Sequence, residues 1–288
     1  MEHHMTRILQ ISDLHIDRNE HVTQGARQHI ARILEVFGND TEKPWILISG
    51  DVVDDGREDQ FLLANSILQP LREKGFEIYT LPGNHDYGWN GNFANPTSYH
   101  HYLQYIVQDT TQQFPMTYSV GKHFVVMLDS MRAETGFLDH FLADGEIGPT
   151  QLNALDIILM RLNAFRKSGS KVIVALHHHP FLYPDNSKLE KLGNWFAHYL
   201  KDGEDLLQML AGRTDVLLFG HEHRHIDFRV QLSDYALPAK YDIPIILSCG
   251  SSSGIADPHP QPGIPIGRHS WLLTIDDETG HIDAEHWN

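Results

Sequence analysis

The 288-residue sequence predicts a mixed α/β fold. β-rich apolar runs alternate with amphipathic helical stretches, a pattern that favours right-handed crossovers and a sheet with helices on its faces. A Gly121-Lys122 turn between two β runs adds an antiparallel hairpin, and the C-terminal part carries short β runs separated by turn signals.

Residues 7–11 are the first strand and 24–37 the first helix, with Ile30, Ile33, Leu34 and Phe37 at helical spacing. Residues 45–49 are a second, buried-type strand. Residues 60–71 place Phe61, Leu62, Leu63, Ile67, Leu68 and Leu71 on a helical stripe closed by Gly75, and 76–81 form a third strand. The hairpin joins 117–120 to 123–129. Residues 149–166 are the longest helix candidate, followed by strand 171–176, helix 206–210 and strand 215–219. Runs at 227–232, 243–248, 270–275 and 282–286 read as antiparallel strands. The Gly- and Pro-rich stretch 254–267 is one long loop, a class that is either disordered or functional. With no repeat or linker, residues 1–288 read as a single domain.

A composition of 41% hydrophobic and 21% charged residues excludes a disordered chain. No apolar run approaches the roughly 18 residues of a bilayer-spanning helix, and the N-terminus lacks an export signature, so the expectation is cytoplasmic with no membrane partner. Cys249 stands alone, which excludes an intramolecular disulfide and cysteine-based zinc. A net charge of −16 argues against general electrostatic binding of nucleic acid and favours a small substrate; a homo-oligomer is left open. The 21 histidines raise the question of metal, but abundance alone decides little. Placement is the better test, because a metal site needs ligands that converge from different elements.

In α/β sheets ligands bind beyond the carboxyl ends of the strands. Those ends read Asp13-Leu14-His15, then Gly50-Asp51 with Asp54 and Asp55 close behind, then Gly83-Asn84-His85-Asp86, His177-His178-His179-Pro180 and Gly220-His221-Glu222-His223. Any one of these could be a turn former. Five in one chain point to metal, since carboxylate and imidazole suit hard and borderline ions and a pair of ions needs a carboxylate to bridge them. Glycines at 50, 83 and 220 let the backbone come close.

Asp13-x-His15, Gly50-Asp51-x-x-Asp54, Gly83-Asn84-His85-Asp86, a later histidine and Gly220-His221-x-His223, in that order, resemble the calcineurin-like metallophosphoesterase superfamily. The resemblance spans residues 13–223. It implies a four-layer αββα sandwich of two mixed β-sheets flanked by helices, and a cofactor of two divalent or trivalent metal ions, Mn, Fe or Zn. Carried over by position, it implies Asp13, His15 and His223 on one ion, Asn84, His177 and His221 on the other, and Asp51 between them. His85 matches the catalytic histidine and Asp54 the residue that orients it, although adjacent Asp55 also fits. Within the triple histidine, the first matches the ligand by analogy, with His178 the alternative.

The segments Leu176-His-His-His-Pro180 and Gly145-Glu-Ile-Gly-Pro-Thr-Gln-Leu152 look like class III cyclic nucleotide phosphodiesterases and their glycerophosphodiesterase relatives. That likeness implies hydrolysis of a small phosphodiester by a metal-bridging hydroxide, with a phosphomonoesterase, a nuclease or a non-catalytic scaffold of the same fold as alternatives. Segments 183–203 and 254–269 are expected to shape the substrate pocket, with Arg268, His259 and Trp195 as candidate contacts. Two rival motifs are disfavoured by context. His221-Glu-His-Arg-His225 fits H-E-x-x-H but lies between β runs, and Gly250-Ser-Ser-Ser-Gly254 fits G-x-S-x-G with no helix to follow.

Overall fold

A computed structural model of the chain describes residues 4–89, 91, 93–131, 144–185 and 200–288. The elements that frame the molecule run β1 (Met5–Ile11), α1 (Glu20–Phe37), β2 (Trp45–Ser49), α2 (Glu58–Glu73), β3 (Ile78–Leu81), α3 (Asn84–Tyr87), β4 (Gly88–Trp89), β5 (Phe93–Ala94) and α4 (Pro96–His101). They continue with β6 (Met116–Val120), β7 (His123–Met127), α5 (Pro149–Phe165), β8 (Val172–Ala175), α6 (Gly203–Leu210), β9 (Val216–Phe219), β10 (Ile226–Asp227), α7 (Leu237–Tyr241), β11 (Ile245–Ser248), β12 (Ser270–Asp276) and β13 (Ile282–Trp287). Helix α1 starts earlier than its apolar stripe because Asn19 caps it, accepting from Val22 N at 3.0 Å.

Two mixed sheets form, ordered β13-β12-β1-β2-β3 and β10-β11-β9-β8-β7-β6, beside a small β4-β5 ribbon. In the first, β1, β2 and β3 are parallel and β12 and β13 antiparallel; in the second, β7, β8, β9 and β11 are parallel. Strand alternation sorts the side chains into three cores. Leu9, Ile11, Ile46 and Ile48 face α1 and α2, and Val172, Val174, Leu217 and Phe219 face α5 and α6. Ile8, Leu47, Ile173, Val216 and Leu218 meet between the sheets. Helix, sheet, sheet, helix is the predicted four-layer order, and it requires each strand to bury both faces.

Two expectations change. The stretch 227–232 is a strand only at Ile226–Asp227, because the Asp227 carboxylate accepts from Arg229 N at 2.9 Å and from its guanidinium at 2.7 Å, while Val230 N and Gln231 N turn back to Asp227 O. Side chain captures backbone there and ends the ladder, whatever the alternation of Phe228, Val230 and Leu232 implies. Strand β11 is antiparallel to β10, as expected, but parallel to its other neighbour β9. The loop 254–267 contains neither helix nor strand. No helix among the described residues is long and apolar enough to cross a membrane.

His29 of α1 is buried against Ser270 Oγ at 2.7 Å. Burial, then Arg268, His269 and His286, push its pKa from 6.5 down to about 3. The folded chain keeps the ring neutral while the unfolded chain takes up a proton, so stability present above pH 6.5 is lost as pH falls, by at most about 1.4 kcal/mol per pH unit. His29→Gln is expected to flatten this limb, so that the urea midpoints of wild type and variant draw together as pH falls from about 6.5 to about 4. Parallel midpoints would assign the acid limb to other groups.

Candidate metal centre

Both sheets present the carboxyl ends of their parallel strands at one edge. Gln10, buried between the sheets, ties them below it by donating to Ser49 Oγ at 2.9 Å and to Phe219 O at 3.1 Å. Past the strands the chain stays paired, Asp13 N to Gly50 O at 3.1 Å and His15 N to Asp51 O at 3.0 Å, but its conformation changes. Asp13, His15, Asp51, His221 and His223 all have positive φ, from 41° to 76°. Asp and His are among the side chains that tolerate this region best, and such strain gathers at functional sites.

These turns bring the donors together. Asp13, His15 and His223 form one group and Asp51, His177 and His221 another, each with donor atoms within 4.8 Å of one another. His15 Nε2 is 3.1 Å from His223 Nε2, and His177 Nε2 is 3.2 Å from both His221 Nδ1 and Asn84 Oδ1. Asp51 Oδ2 stands between the groups, 3.5 Å from His15 Nε2 and 3.2 Å from His177 Nε2.

The triple histidine separates by partner. His177 enters the centre and donates through Nδ1 to Ser49 O at 2.8 Å, whereas His178 Nδ1 meets Ser130 Oγ at 2.7 Å and His179 packs on Tyr183. The two aspartates separate too. Asp54 Oδ1 accepts from His15 Nδ1 at 3.0 Å, and Asp54 O accepts from His85 Nδ1 at 2.6 Å. Asp55 faces away and accepts from Arg57 at 3.0 Å.

Burial pushes the Asp51 carboxyl up, but the imidazoles of His177, His85 and His15 outweigh it and hold it well below the usual carboxylate range. Asp13 is lowered in the same way, burial being overcome by His223 and His177. Burial and His85 drive His15 down to about 4. For His177 burial loses to Asp51, Asp13 and the Ser49 carbonyl, which raise it to about 9. A proton held this firmly marks a point where the carboxylates favour positive charge. Asp13 Oδ1 is buried with no hydrogen-bond partner among the described residues. Carboxylate, imidazole and amide oxygens in this arrangement fit divalent or trivalent ions.

Several supports were not read from the sequence. Asp86 accepts from Val52 N, Val53 N and Gly83 N at 3.0 to 3.1 Å, so it pins the loops that carry Asp51 and Asn84. Ser251 Oγ donates to Asp13 O at 2.8 Å, and Ser252 Oγ to His269 O at 2.6 Å. That occupies the Gly250–Gly254 serines in bracing the first ligand loop, and no helix follows them. A Cβ on Gly83 would lie 2.2 Å from Asp51 Oδ1, and one on Gly220 2.6 Å from Asp13 Oδ2. Residues 220–225 are not helical, which removes the zinc-protease reading of His221 to His225. Arg268, a candidate substrate contact, donates to Gln28 Oε1 on α1 at 2.7 Å. His259 lies close enough to Glu222 and Asp185 to shift their titration, and Trp195 lies outside the described residues.

A model of the calcineurin-like phosphoesterase family matches residues 6–225. The chain belongs to that family. As a calcineurin-like phosphoesterase it shares its fold with purple acid phosphatase PPD1 from yellow lupin (Lupinus luteus) seeds, at TM-score 0.61 and 13% identity over 99% of this chain. It spans about half of that phosphatase, 54% of its length. It is also similar to GAP50, the anchor in the inner membrane complex of Plasmodium (TM-score 0.53, 13% identity, 99% of this chain and 89% of that one). A third likeness is to phosphopantetheinyl hydrolase from Mycobacterium tuberculosis (TM-score 0.52, 15% identity, 85% and 90%). No curated protein matches the chain. The family is metal-dependent and acts on phosphoesters, and this calcineurin-like phosphoesterase carries Asp and His clusters able to bind metal.

Proposed function

We propose that this calcineurin-like phosphoesterase hydrolyses a small phosphodiester, of the cyclic-nucleotide or glycerophosphodiester kind, at a binuclear metal centre. Asp13, His15 and His223 would hold one ion, Asn84, His177 and His221 the other, and Asp51 would touch both. The observation that carries this reading is the Asp51 carboxylate oxygen set between two imidazole nitrogens of different groups. Manganese, iron or zinc bound there would supply Lewis acidity toward the phosphoryl oxygens and bring the pKa of a water near 7.

The chain's own residues then do the following. His85 donates its Nδ1 proton to Asp54 O, which fixes the ring and leaves Nε2 as the nitrogen that would serve a substrate. Through that nitrogen it can hydrogen-bond a phosphoryl oxygen or pass a proton to the leaving alkoxide. Asp54 acts twice, holding His85 through its carbonyl and His15 through its carboxylate. Asn84 donates through Nδ2 to Gly91 O at 3.2 Å, which turns its amide oxygen toward His177. Diester preference is supported by the likeness of residues 145–152 and 176–180 to the phosphodiesterase branch.

The test is a panel of an aryl diester, an aryl monoester, 2′,3′- and 3′,5′-cyclic nucleotides, glycerophosphodiesters and single-stranded DNA, run with metal quantitation. The expected result is faster turnover of a small diester than of the monoester or DNA. A faster monoester overturns the diester assignment, and trace metal with no turnover after added manganese supports the scaffold instead. Asp86→Asn, which touches no proposed ligand atom, is expected to weaken metal affinity by about 10- to 100-fold by loosening the backbone behind Asp51. Competition with a chelator measures this, and unchanged affinity would make Asp86 a purely structural residue.

A further inference from the structure

Among the described residues, one group of potential metal donors shares no residue with the strand-end centre: His225, His269 and His286. They come from three separate places, the turn before β10, the residue leading into β12, and β13. Each offers one nitrogen within 4.8 Å of the others. His269 Nδ1 is 3.2 Å from His286 Nε2. That is the spacing of His15 from His223 and of His177 from His221, and it matches the roughly 3.3 Å edge of a tetrahedron with metal–nitrogen bonds of about 2.0 Å.

His225 is fully buried, and its Nε2 has no hydrogen-bond partner among the described residues. An orphaned imidazole nitrogen in a core calls for an explanation. Its other nitrogen, Nδ1, has the Gly250 N–H at 3.3 Å, a long contact given up when the ring takes the tautomer that ligates through Nε2. The ring itself is held in place by stacking on Trp271, with centroids 4.1 Å apart and planes 13° apart. His286 is only partly buried.

We propose that His225, His269 and His286 form a separate mononuclear site for a borderline transition-metal ion, with zinc(II) the probe that fits best. Three imidazoles with no thiolate suit zinc, copper or nickel ahead of magnesium, calcium or manganese. A water would complete the coordination. The ion would clasp the last strand, β13, to the turn that follows His223, so its role is to secure the segment behind the strand-end centre.

The test uses the full chain, stripped of metal and dialysed against excess zinc(II), with bound metal counted per chain. Wild type is expected to hold one more zinc than His269→Gln or His286→Gln, and both variants are expected to keep the wild-type circular dichroism. The same difference of one is expected in an Asp13→Asn/Asp51→Asn background, so the result is independent of whether the strand-end centre hydrolyses phosphoesters. In that background, X-ray absorption of the remaining zinc is expected to report three imidazoles, a readout that needs no further variant. Equal zinc counts in wild type and both histidine variants, or a zinc shell without three imidazoles, overturns the site.

Discussion

Asp51→Asn is expected to reduce phosphoester turnover by about 10³-fold or more and to leave the purified protein short of metal. The Asp51 carboxylate serves three groups at once: Oδ2 lies 3.5 Å from His15 Nε2 and 3.2 Å from His177 Nε2, and Oδ1 accepts from His85 N at 2.9 Å. Asparagine keeps the shape and one acceptor but loses the charge that would draw two cations to one point. The loss should therefore appear in metal content before it appears in fold, with circular dichroism unchanged. Metal analysis beside the rate on an aryl diester checks it. A variant that retains two ions and a rate within tenfold of wild type would show that Asp51 does not bridge.

His85→Ala should behave differently. His85 reaches the centre through its ring, 4.6 Å between centroids from His15, while its own nitrogen is held by Asp54 O. Metal content is expected to stay at the wild-type level while turnover falls about 10²- to 10⁴-fold, the range of a positioned acid–base group. If His85 protonates the leaving group, the loss is larger for an alkyl diester than for an aryl diester, whose leaving group needs no proton. Wild-type rates on the alkyl diester would remove the role. The two variants together separate charge that recruits ions from a proton that serves the reaction.

The gathering of Asp13, Asp51, Asn84 and His221 at one edge was legible from the sequence because each follows a short apolar run that reads as a buried strand, and the order of those runs puts their ends together. The choice among His177, His178 and His179 was not, since it depends on Ser49 O and Ser130 Oγ, which reach these rings from other strands. Asp54 and Asp55 are neighbours with equal local claims until Arg57 draws Asp55 outward. Asp86 stood in view within Gly83-Asn84-His85-Asp86, but its work is to accept three backbone N–H groups, two of them from the distant loop at Val52 and Val53. The partner of Arg268 was hidden for a similar reason: Gln28 comes from α1. Strand 227–232 failed on the opposite scale, where one aspartate side chain two residues from its target outbid a period-two pattern.

Under the proposed function, the left-handed backbone at Asp13, His15, Asp51, His221 and His223 sets stability against metal binding at one edge of the molecule. Each of these conformations costs on the order of 1 kcal/mol, and glycine or asparagine would relieve part of it. A selection for heat resistance that ignored turnover would therefore drift toward those two residues and strip the edge of its donors. Selection for both properties would have to find its gains in the three cores and the outer helices, leaving five uncomfortable positions untouched.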